Sequence, residues 1–120
     1  MDAQQARELA LALDGAVEKD HHGKPSFRVG DKGKIFATLW AGDELNVMLD
    51  EPGIRTAVEA HPDICTEVWW GKRLSAVKVA LPDADPDLVA ELLEDAWEGK
   101  GGSRPRDDNP PPPPTRRRDR

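Results

Sequence analysis

Gly23-Lys-Pro-Ser-Phe-Arg-Val-Gly-Asp-Lys-Gly-Lys-Ile-Phe-Ala-Thr-Leu-Trp40 is the stretch of the sequence that decides the fold. Apolar and polar residues alternate on both sides of Gly30-Asp31-Lys32-Gly33, a pattern typical of two antiparallel strands joined by a tight turn. Successive side chains of a strand point to opposite faces, so one face of this hairpin is predicted to be apolar, with the inward residues Phe27, Val29, Ile35, Ala37 and Leu39. The glycines fit turn positions with positive φ, and the absence of Ser or Thr after Lys34 excludes a P-loop.

The elements on either side of the hairpin follow from the spacing of their apolar residues. Helical spacing predicts an N-terminal helix, a short middle helix that opens at Asp50 and ends at Pro62, and a last helix that opens at Asp85 and stops at Gly99. Alternating residues predict four strands before the middle helix and two after it. The order α-β-β-β-β-α-β-β-α and its short connections favour an α+β fold, a mostly antiparallel sheet with the terminal helices packed on one face.

The chain of 120 residues divides into one domain and a tail. No large apolar residue follows Trp97, and the last part contains the proline run Pro110 to Pro114 and the basic run Arg116 to Arg118. Because such a segment has nothing to bury, residues 1–99 are predicted to be the folded domain and residues 100–120 a disordered tail with its prolines in the polyproline II conformation. Besides a plain disordered terminus, the tail could serve as a polyproline ligand or as a basic arm for DNA.

Charge is distributed unevenly between these two parts. Residues 1–99 hold 10 Lys and Arg against 20 Asp and Glu, a formal −10, whereas residues 100–120 hold 7 against 3, or +4, which together give the −6 of the whole chain. A domain with this charge repels the phosphate backbone. Nucleic-acid binding would therefore require basic residues gathered on one surface, or help from the tail.

Little in the sequence indicates catalysis or a membrane location. Cys65 is the only cysteine, which excludes an intrachain disulfide and fits a reducing compartment. The three histidines and three serines form no nucleophile motif, and the pair His21-His22 has no further ligands at metal-binding spacing. We expect a non-catalytic cytoplasmic protein without a cofactor, a metal site or a membrane partner.

Four short motifs, taken in their order and spacing, resemble one known family. They are His22-Gly-Lys-Pro-Ser-Phe-Arg-Val29, Lys34-Ile-Phe-Ala37, Trp69-Trp70-Gly71 and Glu91-Leu-Leu-Glu-Asp-Ala-Trp97. With them the chain resembles the MmcQ/YjbR family over about residues 3–98, and that family has a fold similar to the CyaY, or frataxin-like, architecture. The resemblance implies a DNA-binding function. The proline- and arginine-rich tail departs from the family pattern, so nothing about it is carried over.

The sheet face opposite the helices is the predicted nucleic-acid interface. Aromatic rings interleaved with cations on an open sheet let bases stack while phosphates are held. Trp40 and Trp69 are the expected stacking residues, whereas Trp70, on the other side of its strand, is expected in the core. The expected phosphate contacts are Arg28 and Lys34 on the hairpin and Lys72 and Arg73 in a wing-like turn, with Lys24 and Lys78 as secondary contacts. Other residues expected on this face are Ser26, Phe36, Thr38, Asn46, Met48 and Glu67.

Two other functions stay open. Phe36, Trp40 and Trp69 could instead pack under the middle helix or against a second chain, which would make the protein an interaction or homodimerisation module. An acidic set near the C-terminal end of the domain could bind iron, as frataxin-like proteins do: Asp83, Asp85, Asp87, Glu91, Glu94, Asp95 and Glu98. In that fold, however, the acidic ridge lies on the first helix, and helix capping with a solvated helix face explains these residues more simply.

Overall fold

The computed structural model describes residues 1–40 and 43–102. Within them lie the elements α1 (Ala3–Leu11), β1 (Ala16–His21), β2 (Lys24–Val29), β3 (Ile35–Trp40), β4 (Glu44–Val47), α2 (Glu51–Ala60), β5 (Cys65–Trp70), β6 (Arg73–Ala80), a 3-10 turn (Leu81–Asp83) and α3 (Pro86–Gly99). The predicted α+β class and element order are confirmed. The tail predicted from Lys100 lies outside the described residues from position 103 onward.

The six strands form one antiparallel sheet in the order β1-β2-β3-β4-β6-β5. Strands β1 to β4 form a meander in which each strand pairs with the next. Helix α2 then carries the chain past the position of β6 to β5 at the edge, and β6 returns to pair with both β4 and β5. The sheet therefore has β1 and β5 as its edge strands.

The three helices cover one face of this sheet and close a single core. α1 packs against α3, α3 packs on β3 and β4, and α2 packs on β5 and β6. Buried apolar side chains of the strands and of all three helices belong to one cluster, which includes Ala6, Phe27, Leu45, Val47, Ile54, Val77, Val79, Val89, Leu93 and Trp97. No helix of the described residues lies on the opposite face, which is called the open face below.

Each helix begins at an aspartate. The carboxylate of Asp2 accepts from the backbone N–H of Gln5 at 2.8 Å, and the Gln5 side chain accepts in return from the backbone N–H of Asp2 at 2.9 Å. Asp50 and Asp85 cap α2 and α3 with their side chains, and a proline occupies the first turn of both helices. A cap of this kind contributes about 1 kcal/mol, so these local signals fix where the helices start.

A β-bulge in β3 changes the alternation predicted for the first hairpin. Phe27 pairs with Ala37, but the next residue, Arg28, pairs with Ile35, so Phe36 is an extra residue in its strand. A bulge adds one extra residue to a strand, so the alternation of its side chains between the two faces shifts by one residue. As a result Ile35 is half-buried and stays outside the core cluster, and the prediction that it shares the inward face of Ala37 is wrong.

Gly33 closes the same hairpin at a position that has no room for a side chain. A Cβ atom there would lie 1.6 Å from the backbone oxygen of Val29. Gly30, at the other end of the turn, has open space around it but a φ of +83°. The two glycines are therefore required for different reasons, steric exclusion at Gly33 and backbone conformation at Gly30.

Substitution of these glycines tests that distinction. Gly30→Ala is expected to lower the free energy of unfolding by about 1–2 kcal/mol, the cost of a left-handed backbone at a residue with a Cβ. Gly33→Ala is expected to cost more, about 3 kcal/mol, because the backbone of the hairpin has to shift. Urea unfolding of both variants measures the difference, and an equal or smaller loss for Gly33→Ala would contradict the steric explanation.

Candidate nucleic-acid interface

The open face carries a row of polar side chains that crosses the centre of the sheet. The register places Ser26 beside Thr38, Thr38 beside Asn46, and Asn46 beside Lys78. Ser26, Thr38 and Asn46 are each at most 5% exposed. Because no helix of the described residues covers this face, larger side chains of the same face must shield the row from solvent.

Trp40 is one of these covering side chains. Its indole Nε1 donates a hydrogen bond to Oγ1 of Thr38 at 3.0 Å, and Nζ of Lys24 lies 4.5 Å from the centre of the indole ring. A cation above an indole is stabilised by the negative face of the ring, by about 0.5–1 kcal/mol at an exposed site. The ring is still 44% exposed, so Lys24, Trp40 and Thr38 form a stack whose aromatic part can be reached from solvent.

Two buried polar atoms of the open face have no hydrogen-bond partner within the described part of the chain. They are Oδ1 of Asn46 and Nε of Arg28. Leaving such an atom unpaired costs about 1–3 kcal/mol, and native proteins retain few of them. Asn46 therefore offers an unused acceptor and Arg28 an unused donor, both reachable only when the covering side chains move.

The strands give the open face a net positive charge. By register, four cations point to it, and Glu44 is its one acidic strand residue among those described. The cations are Lys19, Lys24, Arg28 and Lys78. Lys19 pairs with Asp31 at 3.0 Å and Lys78 with Glu44 at 3.8 Å, both partly exposed pairs that contribute little stability. The other two cations have no ion-pair partner among the described residues.

The helix layer has the opposite charge. α1, α2 and α3 contain one, two and five acidic residues, eight in all, against one basic residue each in α1 and α2. The three helices therefore account for −6 of the −10 calculated for residues 1–99, on the side of the molecule that faces away from the open sheet. The structure thus meets the condition that the basic residues be gathered on one surface.

Lys34, Lys72 and Arg73 lie at one end of the sheet rather than on its open face. β3 and β6 both run antiparallel to β4, so the turns that precede them lie at the same end. All three side chains are exposed. The β2–β3 and β5–β6 hairpins are separated by about three strand spacings, or about 14 Å, and form two basic wings.

Trp69 points to the helix-covered side of the sheet. Its Nε1 donates to Oε1 of Glu67 at 3.1 Å, and Glu67 lies 3.8 Å from the guanidinium of Arg55 in α2. The register also pairs Glu67 with the core residue Val77. The prediction that Trp69 and Glu67 lie on the open face is therefore wrong. The side chains of β5 that point toward the helices include Glu67 and Trp69, whereas the prediction had these two pointing away from them.

Phe36 and Trp70 also differ from the sequence-based expectation. Phe36, expected on the open face, is fully buried and belongs to the core cluster. Trp70, expected in the core, is 55% exposed. It ends the edge strand β5, which has a neighbouring strand on one side only. Of the predicted stacking residues, only Trp40 is both exposed and on the open face.

Other kinds of site find no support in the described ranges. No group of three His, Cys, Asp or Glu residues there is arranged to hold a metal ion, and the rings of His21 and His22 contact each other edge to face. None of the helices in those ranges has the length and apolar character needed to cross a membrane.

These features define a small α+β domain with an acidic helix layer and an open, basic sheet face. A family model described as YjbR matches residues 11–99, which is most of the folded part. The chain belongs to the YjbR family, as the four sequence motifs indicated. The comparison with curated proteins found no match, and neither did the comparison with solved structures.

Cys65 is fully buried in the core, where burial raises the pKa of its thiol. We expect it to react with a thiol reagent such as DTNB only after unfolding by urea. Because the native state keeps the thiol proton to a higher pH than the unfolded state, the free energy of unfolding should fall as pH rises above the thiol's ordinary pKa. Cys65→Ala should lose this part of the pH dependence, and rapid labelling of the native protein would contradict the assignment.

Asn46 allows a test of the unpaired buried acceptor. Asn46→Val replaces the amide with an apolar group suited to a strand and is expected to raise the free energy of unfolding by about 1 kcal/mol, because the unpaired oxygen is removed. Asn46→Asp, the matched control, puts a charge at the same place and is expected to lower it. Urea unfolding reports both values, and a destabilised Asn46→Val protein would show that the amide is satisfied in solution.

Proposed function

We propose that this protein is a non-catalytic DNA-binding protein that holds an unpaired stretch of DNA on the open face of its sheet. Membership of the YjbR family agrees with this function. In the proposed complex a base stacks on Trp40, and Lys24, Arg28 and Lys78 contact phosphates. An open sheet face with an accessible ring suits a single strand, whose bases are free to stack, better than a duplex.

The observation that carries the proposal is the stack of Lys24 on the half-exposed ring of Trp40. A base arriving at the ring would take the place of the ammonium group, and Lys24 would move to the adjacent phosphate. The single cation–indole contact of the free protein would thereby be replaced by two contacts in the complex, base on indole and cation on phosphate. In the free protein, Lys24 therefore occupies the place on the indole of Trp40 that a base would occupy in the proposed complex.

The buried polar row supplies the second part of the argument. When a base displaces the covering side chains, Oδ1 of Asn46 can accept from an exocyclic amine and Nε of Arg28 can donate to a base or a phosphate oxygen. Neither atom has a hydrogen-bond partner among residues 1–40 and 43–102. The free energy that they cost there would be recovered on binding, which favours the complex.

The charge distribution orients the nucleic acid. The acidic helix layer repels phosphate, whereas the open face and the exposed wing residues Lys34, Lys72 and Arg73 attract it. Binding that depends on such contacts releases counterions, so the affinity should fall steeply with added salt. The basic tail can add contacts, but the proposal assigns the main contacts to the folded domain.

A second candidate function is a protein-interaction or homodimerisation module. The observation in its favour is the edge strand β5, whose last two residues, Trp69 and Trp70, are 47% and 55% exposed. An unpaired strand edge with large apolar side chains can pair with a strand of another chain. This surface is separate from the open face, so the two candidate functions can be tested independently.

Trp40→Ala tests the DNA proposal, with Trp69→Ala as a matched control of almost equal exposure on the other side of the sheet. Loss of one stacking platform is expected to weaken binding of a labelled single-stranded oligonucleotide by about 1–3 kcal/mol, or roughly 5- to 150-fold, for Trp40→Ala. Trp69→Ala should bind as the unaltered protein does. Fluorescence anisotropy at several salt concentrations measures both, and each lost phosphate contact in Lys24→Ala or Lys78→Ala should reduce the salt slope by about 0.7.

A variant with Arg116, Arg117 and Arg118 changed to Glu separates the domain from the tail. Binding that persists in this variant and weakens further with Trp40→Ala supports the open face. Binding that disappears in this variant while Trp40→Ala has no effect would assign the activity to the tail and overturn the proposal. Absence of salt-dependent binding, together with a sedimentation mass that Trp70→Ala reduces, would favour the interaction module.

A further inference from the structure

A groove of about 1050 Å³ lies between α2 and α3, on the side of the sheet opposite the open face. Ala57 of α2, Leu74 of β6 and Leu92 of α3 form part of its apolar lining. Trp70 also lines the groove and leaves more than half of its surface exposed. The groove therefore combines an accessible aromatic ring with apolar walls, and nothing described above accounts for it.

The charged lining of the groove is mainly acidic. Glu51 at the start of α2 and Glu91 and Asp95, one turn apart on α3, have no ion-pair partner among the described residues. The carboxylate of Asp50, which caps α2, is a fourth acid, and Arg73 and Lys100 are the two cations of the lining. The groove is thus net negative, with two acids at the start of α2 and two on α3.

The chain leaves the folded domain at this groove. Gly99 and Lys100, at the end of α3, belong to its lining. In the sequence that follows, residues 103–120 contain six arginines against three aspartates, together with the five prolines Pro110 to Pro114. Proline runs favour the polyproline II helix, which docks against aromatic rings in grooves, and neighbouring arginines can pair with carboxylates.

We propose that residues 110–118 dock in the α2–α3 groove of their own chain. In this arrangement the proline run packs on Trp70, and the arginines after it pair with Glu51, Glu91 and Asp95. The inference depends on the groove and on the tail sequence, and it does not depend on the proposed DNA binding. Docking would set the basic tail against the acidic helix layer and leave the open face uncovered.

Chain length permits this path. Gly102 lies directly against the indole of Trp97, on the side of α3 that faces α1. The seven residues 103–109 span up to about 25 Å, more than the roughly 10 Å diameter of a helix that they have to pass around. Five prolines in polyproline II extend about 15 Å, and the groove-lining residues of α3 from Leu88 to Gly99 cover about 16 Å of helix.

The full-length protein with a nitroxide attached at Thr115→Cys tests the proposal. Cys65 stays unlabelled under native conditions because it is buried. Paramagnetic broadening in ¹H–¹⁵N spectra is expected to remove intensity from the amides of Thr56, Glu91 and Asp95, and to leave the amides of Lys24 and Ser26 on the open face unchanged. Broadening that is absent, evenly spread or confined to the open face would overturn the inference.

Charge and aromatic variants of the labelled chain complete the test. The pair Glu91→Gln and Asp95→Asn is expected to remove the broadening, whereas the control pair Glu8→Gln and Asp14→Asn, on the α1 side, should retain it. Trp70→Ala should weaken the broadening, and Trp69→Ala should not. Broadening that persists in the Glu91→Gln, Asp95→Asn protein overturns the inference. A mixed sample, in which one chain carries ¹⁵N and a second, ¹⁴N chain carries the nitroxide, tests docking between copies. Broadening in that sample would also overturn the inference.

Discussion

Because all three helices pack on one face of the sheet, the other face has to shield its own buried polar groups. The row formed by Ser26, Thr38 and Asn46 lies beneath side chains of the same strands, and Trp40 is held over it by a hydrogen bond to Thr38. Within the part of the chain that the structure describes, this arrangement leaves the amide oxygen of Asn46 without a hydrogen-bond partner. A second layer of protein would have covered these groups with its own side chains. The open face is therefore covered by aromatic and charged side chains of its own strands, such as Trp40 and Lys24.

The one-sided architecture makes the acidic net charge of the domain compatible with the proposed binding of a polyanion. Net charge is a property of the chain, whereas a ligand experiences the charge of the surface that it approaches. The five acidic residues of α3 lie on the side of the sheet opposite the open face. The core residues of α3, such as Leu93, hold the helix against the sheet. The apolar residues that pack α3 on the sheet therefore also place its acidic residues on the side away from the open face.

The sequence predicted the features that depend on neighbouring residues and missed those that depend on distant ones. Helix starts at Asp50 and Asp85 and the order of elements follow from local capping and periodicity. The bulge that displaces Ile35 depends on the pairing of β3 with β2. The side of the sheet to which Trp69 points depends on the pairing of β5 with β6. Neither pairing can be predicted from the local sequence pattern. The outward direction of the polar row was predictable from its spacing, but its burial was not. The groove between α2 and α3 arises only when two helices far apart in sequence pack on one sheet.

The four tryptophans are distributed so that each reports on a different part of the molecule. Trp97 is buried between α3 and the loop after α1, where its Nε1 donates to the backbone oxygen of Asp14 at 3.0 Å. Trp40, Trp69 and Trp70 lie on the open face, beside α2 and at the groove, respectively. The chain contains no tyrosine, so its near-ultraviolet emission comes almost entirely from these indoles. Proteins that retain one tryptophan at a time would therefore give separate optical signals for the core and for three surfaces, without any attached dye.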